Sequence, residues 1–373
     1  MTRTSSPAPA APPVAVASPT IDIAGRLIGP GRPTFVVAEI GVNHDGDVQK
    51  AIKLVKVAAA CGADAVKLQV FRATTLMHPE AGFARYQKDR VTDAADPIEM
   101  LRKYELSRED LRAIVRAIVE AKLLPLATPF SPADVDTLAL LRVPAIKVAS
   151  PDLVNRPLLA EVLRLGKPVL ASTGAATMDE VRAAAGYLSA AGAKFALLHC
   201  VSDYPVDPAD AQLSWIGELA RAFDVPVGYS DHTTHPMAGA LAAAAGACVI
   251  EKHLTLDRAD RGPDHAASAD PQQFERYVRY VREADALRGA PGKRVLDCER
   301  DVRTTSRQSL VTRRSLAAGD TFRAEDLTVQ RPGTGVSAER WADVIGRTAS
   351  RAVPAGSMLL PDMIAGEPLE RAA

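Results

Sequence analysis

The chain has 373 residues, more than the length of about 100–200 residues that is usual for one domain. Its 45 basic and 45 acidic side chains cancel, so overall charge favours neither nucleic acid nor an anionic membrane surface as a partner. Hydrophobic residues make up 47% of the chain, enough for a substantial core. The four cysteines are scattered and form no CxxC pair, which argues against a zinc knuckle or a disulfide framework and favours a cytoplasmic protein.

The N-terminal stretch, residues 1–20, is rich in proline, alanine and serine. It lacks the compact apolar segment of a signal peptide, and we expect it to be a disordered extension. No apolar run of the chain approaches the roughly 18 residues needed to cross a bilayer. The sequence therefore predicts no membrane association.

Eight short apolar runs alternate with amphipathic stretches of helical period. The runs are TFVVAEIG, DAVKLQVF, LLPLATPF, PAIKVAS, KPVLASTG, KFALLHC, VPVGYSD and ACVIEKHL. Near-continuous apolar strands that alternate with helices indicate a parallel sheet covered by helices. Eight such units favour an α/β fold of the closed (β/α)8 TIM-barrel type over an open doubly wound sheet. No GxGxxG follows the first run, which also weakens a dinucleotide-binding fold.

The predicted barrel domain occupies residues 21–288 and ends in a closing helix, PQQFERYVRYVREADAL. The segment between the second and third runs is long, and we expect it to carry an inserted loop before its helix. Beyond about Gly292 the pattern changes to short β-like runs, turn glycines and many arginines. We predict a linker over residues 289–303, a small β-rich domain over 304–366 and a tail over 367–373.

The C-terminal ends of the apolar runs carry polar side chains, among them Glu39, Lys67, Gln69, Thr128, Lys147, Ser150, Ser172, His199, Ser230, Asp231, His232, Glu251, Lys252 and His253. Active sites of TIM barrels form at this face, from the ends of many strands. Glu251 and His253 share one strand face, because side chains alternate with a period of two. If that face points inward, both side chains enter the pocket.

Two histidines, His232 and His253, end neighbouring strands. Neutral imidazoles in such positions can share a divalent cation. Two nitrogens with carboxylates nearby favour Mn²⁺, or else Mg²⁺, over a closed structural zinc site. The alternative is that each histidine simply forms a hydrogen bond with the acidic residue beside it.

Two lysines, Lys67 and Lys147, lie in or at the ends of the second and fourth runs. A barrel-strand lysine can form a Schiff base with a carbonyl substrate, or it can be a fixed charge for phosphate or carboxylate. Two lysines among hydroxyl groups favour a small, highly charged anion. The alternative is a structural ion pair with Glu39 or Glu251 across the barrel mouth.

Two loops are ambiguous. GVNHDG, after the first run, contains possible metal ligands, but its residues are ordinary turn formers, and we predict a turn at Asp45 and Gly46. In LHCVSDYPVDP, Pro205 and Pro208 indicate a loop in which Tyr204 either lines the pocket or packs against the barrel.

In chain order, VVAEIGVNHDG, GADAVKLQVF, ATPFS, IKVAS, LASTG, LHCVSDYP, GYSDHT, VIEKHLTLDR and GPDHAAS resemble the successive motifs of the N-acetylneuraminate (sialic acid) synthase family. The similarity runs from about Phe35 to Ser268, and RQSLVTRRSLAAGDTFRAEDLTVQRPGTGV resembles that family's C-terminal antifreeze-like (SAF) domain. The resemblance implies condensation of phosphoenolpyruvate with an N-acylmannosamine-type amino sugar. The products would be a nine-carbon 2-keto sugar acid and phosphate.

The resemblance also implies roles for individual residues. Glu39, Tyr204 and Asp264 would contact the sugar, and Glu251 would be a second acid–base or metal-orienting carboxylate. The metal would be held by His232 and His253, so that the predicted catalytic set is Glu39, Glu251, His232 and His253. Phosphoenolpyruvate would be bound by Lys67, Thr128, Lys147, Ser150, Ser172 and Ser230, and the predicted substrate-binding set also includes Gln69, Ser202 and Arg307.

Two of these assignments carry alternatives. Ser202 stands where the family often has asparagine, and its shorter hydroxyl would still reach the phosphate. Arg307 is the best match for the family's sugar-contacting arginine of the small domain, but Arg303, Arg313 and Arg314 are close to it in sequence.

The resemblance further implies a domain-swapped homodimer, in which the small domain of one chain covers the barrel of the other. Related synthases make legionaminic or pseudaminic acid or serve spore-coat polysaccharide assembly, and the residues that discriminate them are expected in residues 72–106 and in the small domain. Two other classes stay open: a Schiff-base aldolase on the same barrel, and a non-catalytic sugar-binding protein.

Overall fold

The computed structural model describes residues 18–83, 94–290 and 292–369. Most of the predicted N-terminal extension lies outside the described residues, as do residues 84–93 of the long segment and the end of the predicted tail. The chain separates into two compact units, with the boundary after Ala290.

A short antiparallel hairpin, β1 (Ile21–Ile23) and β2 (Arg26–Ile28), precedes the barrel. Its turn residues Ala24 and Gly25 both have positive φ, at 53° and 86°, as a tight two-residue hairpin turn requires. The three buried isoleucines of the hairpin pack against Phe35, Val37 and other residues near the starts of the barrel strands. The hairpin therefore adds to the apolar core at the amino end of the barrel, opposite the predicted site.

Eight parallel strands form the barrel. They are β3 (Phe35–Glu39), β4 (Ala65–Val70), β5 (Leu124–Pro129), β6 (Ala145–Val148), β7 (Val169–Ser172), β8 (Phe195–Cys200), β9 (Val227–Asp231) and β10 (Val249–His253). Each strand pairs with the next in sequence, and β10 pairs with β3 to close the barrel. Each also lies within one of the eight apolar runs, so the predicted (β/α)8 barrel is confirmed.

Helices connect the barrel strands, and most of them pack against the outside of the barrel. They are α1 (Val48–Ala60), α2 (Ala73–Leu76), α3 (Pro97–Arg102), α4 (Arg108–Glu120), α5 (Pro132–Leu141), α6 (Arg156–Arg164), α7 (Met178–Ala190), α8 (Ser214–Ala222), α9 (Ala238–Ala244) and α10 (Pro271–Arg288). The four longest helices, α1, α4, α7 and α10, begin at side-chain caps; Asp270, for example, caps α10 and shares a capping box with Gln273. The predicted closing helix is α10. Nowhere in the described residues is a helix both long and apolar enough to cross a membrane.

The C-terminal unit has a core of its own, which includes Leu310, Phe322 and Val336. Its elements are α11 (Arg300–Ser306), β11 (Ser309–Thr312), β12 (Leu327–Gln330) and α12 (Trp341–Val344), and β11 pairs with β12 in antiparallel register. Isolated antiparallel bridges extend this pairing to other segments of the unit. The small β-rich domain predicted after the barrel is therefore confirmed, and its two strands pair in antiparallel register.

Candidate active site

A cavity of about 340 Å³ is formed by side chains at the C-terminal ends of the barrel strands. Its volume lies within the range of about 300–1,000 Å³ usual for small-molecule sites. Most of the predicted site residues line it, namely Lys67, Gln69, Thr128, Lys147, Ser150, Ser172, Ser202, Tyr204, Ser230, His232, Glu251, His253 and Asp264. Residues that are far apart in sequence thus face one space of small-molecule size.

The three titratable residues of β10, Glu251, Lys252 and His253, lie on two faces of the strand. Glu251 and His253 line the cavity, as the period of two predicts. Lys252 points to the outer face, where its Nζ lies 3.2 Å from Asp231 Oδ2, and Tyr277 donates a hydrogen bond to the same carboxylate at 2.7 Å. Lys252 therefore belongs to a buried ion pair between the strands and the surrounding helices, away from the cavity.

Four buried charged groups meet at the cavity wall. Lys67 Nζ lies 2.8 Å from Glu39 Oε2 and 3.4 Å from Glu251 Oε1, and Lys147 Nζ lies 3.9 Å from that same Glu251 oxygen. Burial opposes ionisation of Glu251, but Lys147 and Lys67 outweigh it and lower its pKa to about 2. Burial lowers the pKa of Lys147, whereas for Lys67 the two carboxylates outweigh burial and raise the pKa.

The geometry is compatible both with anion binding by Lys67 and Lys147 and with a structural ion pair. Both ammonium groups neutralise Glu251, which agrees with the ion-pair interpretation. Both lysines also line the cavity, where their charge remains available to an anion. Two lysines and two carboxylates therefore share this part of the wall.

Glu39 lies beneath the cavity and is fully buried. Its Oε1 accepts a hydrogen bond from Gln69 Nε2 at 3.1 Å, and Lys67 covers its other oxygen. Gly41 passes so close that a Cβ atom there would lie 2.2 Å from Glu39 Oε1. A side chain at position 41 would displace this carboxylate or Gln69, and within the described part of the chain Glu39 meets the cavity through Lys67 and Gln69.

Several polar atoms in the cavity wall are buried with no hydrogen-bond partner among the described residues: Thr128 Oγ1, Ser172 Oγ, Glu251 Oε2 and His253 Nδ1. Leaving such a group unpaired costs about 1–3 kcal/mol. Native proteins therefore seldom tolerate several in one place. Their concentration around one cavity indicates that a polar ligand completes their bonding.

The two histidines of the predicted metal site lie side by side, with ring centroids 5.4 Å apart. His232 Nδ1 lies 2.9 Å from the carbonyl oxygen of Val201. A hydrogen bond there fixes the ring and leaves Nε2 as the nitrogen that can bind a metal. Burial, His232 and Lys67 hold the pKa of His253 well below its ordinary value, which favours the neutral, metal-binding form. Together with the unpartnered nitrogen of His253, these observations fit a divalent cation.

A second group of possible metal ligands lies beside the cavity. The ligand atoms of Asp45, Asp260 and His265 fall within 4.8 Å of one another. Lys50 forms ion pairs with both aspartates, so an ammonium group already lies among them. The predicted turn is also present, because Asp45 and Gly46 have φ of 53° and 74°.

The cavity also contains residues that sequence analysis missed: Val42, Met100, Leu101, Phe130, Ala149, Pro151, Cys200 and Pro263. Cys200 could have been found, because it shares the inward face of β8 with Leu198. Met100 and Leu101 come from α3 in the long segment, where no strand end indicates a site.

His199, by contrast, points away from the cavity. Its Nε2 lies 2.9 Å from the Ala211 carbonyl oxygen, and its ring contacts Trp215 and Tyr229. It lines a larger cavity of about 1050 Å³ beside α7 and α8, which adjoins the candidate site at Cys200 and Ser202. In the C-terminal unit, Arg307 lines a surface depression of about 430 Å³ together with Arg331.

Comparisons with known proteins agree with this architecture. The NeuB family model matches residues 54–293, and the SAF domain model matches residues 307–365. The N,N'-diacetyllegionaminic acid synthase of Legionella pneumophila is 37% identical over 337 residues, which cover 89% of this chain and 95% of that protein. Human N-acetylneuraminate-9-phosphate synthase is 33% identical, covering 82% of this chain and 85% of the relative.

A solved structure provides an independent comparison. The N-acetylneuraminic acid synthetase of Leptospira borgpetersenii aligns with a TM-score of 0.69 at 29% identity, covering 76% of this chain and 95% of that one. The matched family model covers more than half of the chain, and the full-length relatives extend the match across both units. The chain therefore belongs to the NeuB family and carries a C-terminal SAF domain.

Proposed function

We propose that the protein condenses phosphoenolpyruvate with an N-acylated amino sugar of the mannosamine type, giving a nine-carbon 2-keto sugar acid and phosphate. The observation that carries this proposal is the group of unpartnered polar atoms beside two lysines in one cavity. Phosphate and carboxylate oxygens are acceptors that ammonium and hydroxyl donors complement. The names of the relatives support a sugar-acid product.

Phosphoenolpyruvate would lie between the lysines and a set of hydroxyl groups. Gly174 lies close to two of these hydroxyls. A Cβ atom added at Gly174 would lie 2.3 Å from Ser202 Oγ and 2.9 Å from Ser150 Oγ. The absence of a side chain at Gly174 therefore leaves space for both hydroxyls to point toward the substrate. The full set proposed to bind phosphoenolpyruvate is Lys67, Gln69, Thr128, Lys147, Ser150, Ser172, Ser202 and Ser230.

His232 and His253 would hold the divalent cation, with Mn²⁺ or Mg²⁺ as the metal. When bound, such a cation would supply Lewis acidity at the aldehyde oxygen of the open-chain sugar. Tyr204, whose ring stacks 4.1 Å from that of His232, and Asp264, whose Oδ2 lies 3.6 Å from His253 Nδ1, are placed beside this position. We assign both to the sugar end of the cavity, with Glu39 acting through Lys67 and Gln69.

The reaction itself needs charge balance and proton transfer. C3 of phosphoenolpyruvate forms a bond to the aldehyde carbon, the new alkoxide takes a proton, and positive character develops at C2. Water adds at C2 and loses one proton, and the resulting intermediate expels phosphate by C–O cleavage while its C2 hydroxyl transfers the second proton to the departing phosphate, which leaves the 2-keto group. Lys67 and Lys147 would stabilise the anionic groups throughout. We assign Glu251, whose carboxylate pairs with both lysines, as the group that would accept the proton of the water.

The test is phosphate release from phosphoenolpyruvate with Mn²⁺, assayed against a panel of amino sugars. We expect phosphate and a 2-keto sugar acid in equal amounts with an N-acylmannosamine. Preference for a 2,4-diacetamido-trideoxyhexose would instead assign legionaminic or pseudaminic acid synthesis, a choice that the 37% identity to a legionaminic acid synthase keeps open. Borohydride trapping with pyruvate would indicate an aldolase, and sugar binding without phosphate release would indicate a non-catalytic protein.

We also propose a homodimer in which the SAF domain of one chain supplies Arg307 to the barrel of its partner. A cover over a charged, water-accessible barrel mouth protects a phosphorylated intermediate, and twofold symmetry makes the exchange reciprocal. Mixing Arg307→Ala chains with Lys67→Ala chains should then restore activity. One site of each mixed dimer carries both lesions, and the other carries neither. Continued inactivity after demonstrated subunit exchange would show that each chain covers its own barrel.

A further inference from the structure

The loop between β10 and α10 carries Asp264 to the cavity. Asp264 and the neighbouring Pro263 both line the cavity. A loop that contributes substrate-contacting groups has to be held in place by the surrounding scaffold. The question is which side chains hold this loop.

His265 is the first restraint, and its side chain is only 1% exposed. Its Nδ1 lies 2.7 Å from Thr255 Oγ1, and its Nε2 lies 3.0 Å from Asp45 Oδ1. Thr255 Oγ1 also lies 3.0 Å from the Asp257 carbonyl oxygen, so this hydroxyl connects the imidazole to the backbone of the same loop. The contact of Nε2 with the Asp45 carboxylate joins the β10–α10 loop to the β3–α1 loop.

Lys50 is the second restraint. It lies in the first turn of α1, and its ammonium forms ion pairs with Asp45 and, at 2.6 Å, with Asp260 of the β10–α10 loop. Its side chain is 17% exposed, which limits screening by water. The cation position among Asp45, Asp260 and His265 is therefore occupied by this ammonium group.

A third connection reaches Asp264 itself. Asn43 Nδ2 donates to Ser268 Oγ at 2.8 Å, and Ser268 Oγ donates to the Asp264 carbonyl oxygen at 2.7 Å. Gly262 packs so closely on the imidazole that a Cβ atom there would lie 2.8 Å from His265 Cδ2. The backbone on both sides of Asp264 is thus fixed against the β3–α1 loop.

We propose that His265 is a positioning residue which, with Asp45, Lys50 and Asp260, clamps the β10–α10 loop and so fixes Asp264 at the sugar end of the cavity. We call these four residues the loop clamp. The role of Asp264 rests on the proposed function, whereas the restraint of the loop does not. The loop clamp also explains the carboxylates of this cluster without a metal ion.

The test uses the full-length chain with Lys50→Met, which removes the ammonium group but keeps an aliphatic side chain, and with His265→Gln as a second variant. The matched control is Arg164→Met, because Arg164 likewise forms ion pairs with two carboxylates, Asp136 and Glu161, and none of the three residues lines the cavity. We expect amide hydrogen exchange across residues 255–268 to become about tenfold faster in both loop-clamp variants, the effect of losing one charge-assisted hydrogen bond. The control should leave exchange there unchanged.

Kinetics then separate positioning from general stability. The KM for the best amino sugar of the panel should rise about tenfold or more in both loop-clamp variants, because small displacements of a positioning group are costly. The KM for phosphoenolpyruvate and the melting temperature should stay near those of the wild type. A parallel rise in both KM values, or faster exchange without any change in the sugar KM, would overturn the positioning role.

Two further outcomes are informative. If wild-type protein releases no phosphate with any sugar, the proposed function fails, while hydrogen exchange still decides whether the loop clamp restrains the loop. If Mn²⁺ binds to a His232→Ala/His253→Ala double variant and that binding disappears on adding Asp45→Asn, the cluster is a metal site and the loop clamp is overturned. Absence of Mn²⁺ binding in the double variant supports the ammonium group as the resident cation.

Discussion

Replacing His232 and His253 together with alanine is expected to abolish Mn²⁺ binding and to reduce phosphate release by about 10³-fold or more, because a catalytic metal supplies several kcal/mol of stabilisation. The two rings lie 5.4 Å apart between their centroids, and His232 is fixed through Nδ1 by the Val201 carbonyl. His253 Nδ1 is buried with no hydrogen-bond partner in the part of the chain that the structure describes. Removing both rings eliminates these nitrogen ligands.

The measurement is Mn²⁺ titration by calorimetry alongside phosphate release before and after EDTA treatment. Wild-type protein should lose activity with EDTA and regain it with Mn²⁺, whereas the double variant should not regain it. The matched control is His235→Ala, since His235 is an exposed histidine on the same loop. It should bind Mn²⁺ like the wild type. Full activity of the double variant after EDTA treatment would refute the assignment of the metal site.

The barrel was predictable because its strands are short, continuous apolar runs, and the chain repeats them eight times with helices between. The β1–β2 hairpin was not, since strands such as Ile21–Ile23 are too short to show a period. Its only local signal is the sequence Ala24–Gly25 between alternating isoleucines. Its role in the core at the amino end of the barrel depends on tertiary packing that no local pattern encodes.

The site was predictable where strand periodicity decides which side chains point inward, as for Glu251 and His253. The same rule puts Glu39 on the inward face, but it cannot show that Gly41 and Gln69 cover that carboxylate. The contact of Asp45 with His265 joins residues 220 positions apart and carries no sequence signal of its own. Long-range contacts of this kind determine loop positions, and they follow only from the closed barrel.

Lys147→Met is expected to raise the KM for phosphoenolpyruvate by about 10- to 100-fold, the range for losing a hydrogen bond to a charged group. Lys147 Nζ lies 3.9 Å from Glu251 and donates to the Val148 carbonyl oxygen at 3.0 Å. It is therefore less tightly engaged than Lys67, which lies 2.8 Å from Glu39. Lys67→Met should weaken phosphoenolpyruvate use as well, but with a greater loss of stability, because it leaves two buried carboxyl groups poorly compensated.

Lys252→Met is the control that separates a loss of phosphoenolpyruvate binding from a loss of stability. Lys252 and Lys147 are each 2% exposed, but Lys252 pairs with Asp231 on the outer face of the barrel. Lys252→Met should lower the melting temperature, as removing one partner of a buried ion pair does, and leave the KM for phosphoenolpyruvate unchanged. Similar KM values for wild type, Lys147→Met and Lys67→Met would show that the cavity lysines serve only as structural ion-pair partners.

The pH dependence of the KM for phosphoenolpyruvate provides a second test of Lys147, with wild type and Lys147→Met compared. Burial lowers the pKa of Lys147, only partly offset by Glu251. The ammonium form is present below that pKa and is lost as pH rises through it, so the wild-type KM for phosphoenolpyruvate should increase on the alkaline side. In Lys147→Met this increase should disappear, because the group that titrates is gone. An unchanged alkaline increase in Lys147→Met would assign it to another group and remove Lys147 from the anion-binding set.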